Sequence, residues 1–213
     1  MGNLSQILVL ISAAVGVGGL AFRLWQAFRH PSGADLARAR GTVGRGVLHA
    51  FTVGMLPWEK PSRSLKFWVA YVRGIAFHVG AFAGLAALAL SPWLGVLPSP
   101  VWVVLFAGVV VGLAAGVVGL AMRGIDRELR GLSILDDYLS LALVVVFLIG
   151  ALVALGDPSQ RALFYLLSSP MLLYIPFGKI RHCIYFFTSR FYYGSALGNL
   201  GLLEHRTGNR LGT

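Results

Sequence analysis

Two histidines have the residue type and the placement that a metal-bearing cofactor requires. His78 and His182 each lie inside a different long apolar segment of the chain, toward the same side of the membrane. An imidazole in a membrane-spanning helix is costly unless it has a partner, which makes it a candidate functional residue. A haem iron takes one axial ligand from each side of the ring, and facing helices of a bundle can supply both. The pair therefore predicts a haem ligated by two histidines.

The residues alone leave a structural role open for both histidines. Each imidazole could instead hydrogen-bond a neighbouring helix. A non-haem metal site is disfavoured because Cys183, next to His182, faces a different side of the helix and neither segment has a carboxylate nearby. Gly74 and Gly80 flank His78, and we expect them to leave room for a flat macrocycle.

Three cations lie at the level where the propionates of a haem would meet the membrane interface. Arg73, Lys179 and Arg181 are therefore candidate propionate partners. Long basic side chains near a membrane surface also extend toward water without binding any ligand. The sequence favours neither propionate binding nor this structural role over the other.

The remaining histidines lie in polar or interfacial segments, and we expect His30, His49 and His205 to be solvated. His49 is kept as a candidate for a quinone or second-haem role.

The composition places these residues in an integral membrane protein. The chain has 213 residues, of which 57% are hydrophobic and 12% are charged, whereas a soluble domain carries roughly 25% charged residues. Five apolar stretches reach or approach the length of about 20 residues that crosses a bilayer. They cover residues 5–25, 67–92, 101–122, 138–156 and 162–187. The sequence predicts an all-α five-helix membrane bundle that forms a single domain over residues 1–213.

The distribution of positive charge predicts the orientation. Basic residues concentrate in segment 26–66, in the link between the third and fourth spans, and at the C-terminal end, whereas the two opposite loops contain only Arg161. Because cytoplasmic loops are enriched in Lys and Arg, we expect an outside N-terminus and a cytoplasmic C-terminus. The net charge of +10 is then explained by the basic cytoplasmic loops of a protein in the cell inner membrane. We therefore expect no nucleic-acid partner.

Two short motifs resemble a known family. The run PFGKIRH at 176–182, continuing to SRFYY at 189–193, resembles the end of the gamma subunit of respiratory nitrate reductase, and FHVG at 77–80 resembles the histidine motif in that family's second helix. The family includes the membrane cytochrome b subunits of heterodisulfide reductase-like and sulfite-reduction-associated complexes. The resemblance implies a five-helix bundle with its N-terminus outside, in which His78 and His182 ligate haem b.

The chain also departs from the two-haem pattern of that family, in which the second and fifth helices each supply two histidines. Leu88 stands ten residues after His78, and Phe164 stands eighteen residues before His182, where the ligands of the outer haem would fall. Both outer ligands are absent together. The resemblance therefore implies one haem b, near the cytoplasmic face, as in the single-haem relatives.

Together the residues and the resemblance predict a membrane cytochrome b subunit of a respiratory oxidoreductase complex. It would pass electrons between menaquinone or ubiquinone and a cytoplasmic iron–sulfur subunit, surrounded by membrane lipids. Asp136 and Asp137, at the start of the fourth span, would either serve proton traffic at a quinone near the haem or cap their helix.

Two alternatives to that function remain. One is a haem-free membrane anchor or a small transporter, although five spans do not divide into the matching halves typical of transporters. The other is a haem protein without a quinone site, which would relay electrons to another membrane cytochrome.

Overall fold

The computed structural model describes residues 2–29, 38–56 and 64–202. Within these ranges the regular structure is entirely helical, which confirms the predicted all-α class. The α-helices are α1 (Gly2–Arg29), α2 (Val43–Phe51), α3 (Leu65–Ala89), α4 (Ser99–Ile125), α5 (Arg127–Leu132), α6 (Leu135–Gly156), α7 (Arg161–Tyr174) and α8 (His182–Asn199). Short 3-10 turns occupy Val53–Met55, Ser91–Val96, Pro158–Gln160 and Lys179–Arg181.

Four of these helices, α1, α3, α4 and α6, are long and apolar enough to cross a membrane. They coincide with the first four predicted spans to within a few residues. The segments Pro158–Tyr174 and Lys179–Asn199 add a fifth span if they count as one broken crossing. The chain therefore has the helices of a multi-pass membrane protein.

The predicted fifth span, residues 162–187, is divided between two helices. The helix α7 ends at Tyr174, and α8 begins only at His182. Pro176 is the physical reason, because it has no N–H to donate and its ring collides with the carbonyl four residues earlier. The N–H groups of Phe177 and Gly178 both donate to the carbonyl of Tyr174, at 3.0 Å each, and close the turn.

The chain forms two compact units. The first contains the N-terminal part of α1, to Ala21, and the helices α3 to α7 with the turn Lys179–Arg181. The second contains the rest of α1, together with α2 and α8.

The first unit is held together by an apolar core around α6. Phe147 and Leu148 of α6 are fully buried, as are Val109 of α4 and Phe164 of α7. The rings of Phe147 and Phe164 lie 5.8 Å apart between centroids.

Glycines bring α3 and α4 into direct backbone contact. A Cβ atom added to Gly80 would collide with the Cα of Gly112, and one added to Gly112 would collide with Gly80. Small residues at such positions let membrane helices approach closely. The expectation that Gly80 leaves room for a macrocycle beside His78 is therefore wrong, because Gly80 serves the packing of α3 on α4.

The two ends of the first unit differ in charge. At the end where α3 and α6 begin and α4 finishes, Lys66 meets Glu128 at 3.4 Å and Lys179 meets Asp137 at 2.7 Å. We call this the basic end; it contains Lys66, Arg123, Arg127, Arg130, Lys179 and Arg181. At the other end Arg161 donates to the carbonyl of Pro92 at 3.1 Å.

The second unit is built on the packing of α2 against α8. Gly46 of α2 lies against Gly194 and Gly198 of α8 so closely that an added Cβ would collide with their backbones. Arg190 donates from Nη1 to the carbonyls of Ala50 and Gly54, at 3.3 and 3.4 Å, which ties α8 to the end of α2.

Replacing Gly112 by alanine should separate α3 from α4 and lower the free energy of unfolding by about 1–3 kcal/mol, the usual cost of overpacking. Gly124→Ala is the matched control on the same helix, since an added Cβ there meets nothing within 4 Å; its effect should stay within about 0.5 kcal/mol. Unfolding in mixed micelles measures both. Equal effects would contradict the assigned packing contact.

Candidate functional site

The imidazole of His78 projects from an exposed position on α3. Its Nδ1 lies 2.7 Å from the carbonyl oxygen of Gly74. A carbonyl only accepts hydrogen bonds, so Nδ1 carries the proton and Nε2 carries the lone pair. Metal-ligating histidines typically have this arrangement, in which the second ring nitrogen donates to a backbone carbonyl or a carboxylate and fixes the ring.

The side of α3 around His78 is apolar and exposed. Positions three and four residues apart share a helix face, which places Gly74, Ile75 and Phe82 beside the imidazole. The side chains of Ile75 and Phe82 are 50% and 68% exposed. A Cβ added to Gly74 would meet nothing within 4 Å. The expected space beside His78 is therefore present at Gly74.

His182 is the first residue of α8 and is exposed. It follows the break between α7 and α8, inside the predicted fifth span. His78 lies in the first unit and His182 lies in the second. Their pairing on one iron is therefore a proposal, and it forms part of the proposed function.

Arg73 lies on a different side of α3 from His78. Five residues of α-helix correspond to a rotation of about 140°, and the guanidinium of Arg73 packs across Gly119 of α4. Its Nε is buried and has no hydrogen-bond partner among the described residues.

The other two candidate propionate partners have contacts within the protein. Lys179 Nζ donates to Asp137 Oδ2 at 2.7 Å, and Arg181 Nη1 donates to the carbonyl of Phe177 at 3.1 Å. Both residues lie at the basic end of the first unit.

The two aspartates of α6 have separate roles. Asp137 Oδ2 accepts a hydrogen bond from the backbone N–H of Ile134 at 3.0 Å, which confirms the capping alternative for this residue. Asp136 Oδ1 instead accepts from Tyr174 Oη at 2.6 Å and from Ser140 Oγ at 2.9 Å. The hydroxyl of Tyr174 was not a sequence candidate, because 38 residues separate it from Asp136 and no spacing pattern connects them.

The three remaining histidines are predicted from the sequence to be solvated. His49 is half-buried in α2, and its ring lies beside Gly54. His30 and His205 fall outside the described residues. Within the ranges that the structure describes, no three His, Cys, Asp or Glu side chains come together as a metal centre.

Comparisons with family models, with curated proteins and with solved structures found no match for this chain. The resemblance to the nitrate reductase gamma subunit therefore depends on the two quoted motifs and their spacing.

Asp137→Asn should lower the free energy of unfolding by about 1–3 kcal/mol, because it weakens charged hydrogen bonds of a mostly buried carboxylate. That carboxylate is 11% exposed, pairs with Lys179 and lies 3.7 Å from Arg123. The control is Glu128→Gln, which removes the ion pair with Lys66, and both of these side chains are more than three-quarters exposed. This control should lower the free energy of unfolding by only about 0–1 kcal/mol. Thermal unfolding in micelles compares the two, and a larger loss in Glu128→Gln would contradict this ranking.

Proposed function

We propose that the protein is a membrane cytochrome b subunit that transfers electrons between the quinone pool and a cytoplasmic iron–sulfur partner. One haem b would be held by His78 and His182. The observation that carries the proposal is the hydrogen bond from His78 Nδ1 to the carbonyl of Gly74, on an open apolar face. A bound haem supplies a centre that takes up and gives back one electron at a time.

His78 is suited to the role of axial ligand for two reasons. The bond to the Gly74 carbonyl fixes the tautomer of the neutral ring, so that Nε2 presents its lone pair. The open side at Gly74 leaves space for a flat ring to approach the helix. His182 would supply the opposite ligand from the start of α8, beyond the break at Pro176.

The core of the first unit favours one haem over two. Phe164 stands where the resemblance would require an outer histidine, and it is fully buried against Phe147. Leu88, at the other outer position, packs against the same core. A second macrocycle at this place would have to displace a filled apolar core.

The charge asymmetry of the first unit supports the proposed orientation and partner. Its basic end would face the cytoplasm and would offer positive charge to an iron–sulfur subunit there. Lys179 and Arg181 lie at this end and immediately precede His182 in sequence, which suits them to neutralise propionates. The membrane would be the inner membrane of the cell.

Asp136 and Tyr174 are our candidates for the quinone or quinol chemistry. Their hydrogen bond of 2.6 Å joins a carboxylate to a phenol at the basic end, and these two groups can exchange a proton with a quinone oxygen. Reduction of menaquinone or ubiquinone to quinol takes up two electrons and two protons, so a proton route is required beside the quinone.

The test of the haem proposal is the reduced-minus-oxidised visible spectrum of the purified variants, with haem and protein quantified together. His78→Ala and His182→Ala should each lose the bound haem, whereas His49→Ala, a matched control in α2, should retain it. Gly74→Leu should also lower haem content, because its side chain would fill the open space beside His78.

Two results would contradict the haem proposal. Full haem content in His78→Ala or in His182→Ala would remove that residue as a ligand. A colourless wild-type protein, extracted intact from its native membrane, would favour the haem-free anchor or transporter instead.

The quinone role has its own test. Asp136→Asn and Tyr174→Phe should slow quinol-dependent haem reduction by about 10²-fold or more, within the range typical of lost proton-transfer groups, and leave the haem content unchanged. Glu128→Gln, at the same end, should keep the wild-type rate. Unchanged rates in both site variants, together with no binding of a quinone analogue, would identify the protein as an electron relay without a quinone site.

A further inference from the structure

The first unit has a groove between α3 and α4 that the proposed function does not use. Its volume is about 510 Å³, and it is open along the side of the two helices. The groove is lined by Trp68, Val69, Val72 and Arg73 of α3 and by Ala114, Ala115 and Val118 of α4. Apart from one guanidinium, its walls are apolar.

Arg73 is the only charged residue in this groove, and it has no counter-charge among the described residues. None of those residues forms a hydrogen bond or an ion pair with it, and its Nε is buried. The neighbouring cation, Arg123, is near enough to repel it and is itself engaged with Ser133 Oγ at 2.8 Å. An arginine inside an apolar helix is costly unless it is paired, so Arg73 calls for an anion that the described residues do not supply.

The position of Arg73 along the membrane span indicates which kind of anion could reach it. Arg73 lies eight residues after Leu65, or about 12 Å along α3, on the basic-end side of the span. Trp68 lies between Arg73 and that end, at the level where indole rings favour the headgroup region. A small inorganic ion could neutralise Arg73, but it would leave the apolar walls of the groove uncovered.

From this geometry we infer that the groove binds an anionic phospholipid. The phosphate would accept hydrogen bonds from the guanidinium of Arg73, whose planar fork suits two phosphate oxygens. An acyl chain would lie along Val72, Ala115 and Val118. This inference is independent of the haem, and it assigns Arg73 to a lipid instead of a propionate.

Lipid titration of the full-length protein, delipidated in neutral detergent, tests the inference by thermal shift and native mass spectrometry. Phosphatidylglycerol should bind and raise the unfolding temperature, whereas phosphatidylcholine with the same acyl chains and inorganic phosphate should not. Arg73→Gln should weaken phosphatidylglycerol binding about tenfold or more, as expected for lost charged hydrogen bonds. Arg127→Gln removes an exposed charge at the basic end and should change binding by less than about twofold.

Three results would overturn the inference. Equal loss of binding in Arg73→Gln and Arg127→Gln would indicate a general attraction to surface charge. Equal binding of phosphatidylcholine would remove the need for an anion, and an equal effect of phosphate alone would indicate a free anion. Ala114→Phe, which fills the groove and keeps Arg73, should also weaken binding of phosphatidylglycerol; if Arg73→Gln does not fold, wild-type binding in Ala114→Phe would itself overturn the inference.

Discussion

The contact between Gly80 and Gly112 determines how α3 is rotated in the first unit. Because the two glycine backbones touch, no side chain can come between α3 and α4 at this level. His78 is two residues away, which is about 200° around the helix, so its imidazole must point away from α4. Arg73 is seven residues from Gly80 and returns to nearly the same side, where it lies in the groove beside α4. One close packing contact thus separates the histidine face from the arginine face.

That separation divides the polar chemistry of the first unit. The face of α3 with His78 is exposed and has open space at Gly74, as a large planar ligand would require. The opposite face holds a cation, Arg73, that none of the described residues neutralises. The carboxylates of α6 take part in neither face of α3. Asp137 caps its own helix and accepts a hydrogen bond from Lys179, whereas Asp136 accepts one from Tyr174 at the end of α7. Both carboxylates are thereby bound within the first unit.

The sequence predicts much of the fold because long apolar runs and the placement of positive charge need no tertiary information. The first four spans follow from these alone. The position of the break in the fifth span does not follow from them, because the apolar composition continues through Pro176, whose backbone effect ends the helix there. The role of Gly80 could not be predicted either, since a glycine beside a histidine can equally serve a ligand or a neighbouring helix. The choice between these two roles depends on how α3 is rotated about its axis relative to α4. That rotation cannot be predicted from a single sequence. The contact of Asp136 with Tyr174 likewise depends on where α7 ends.

The most direct test of the central claim is the haem content and electron paramagnetic resonance of the oxidised wild-type protein, purified from its native membrane. We expect about one haem b per chain, with the low-spin signal of an iron held by two histidines. A protein without haem, or one with a high-spin iron open to water on one side, would contradict the claim.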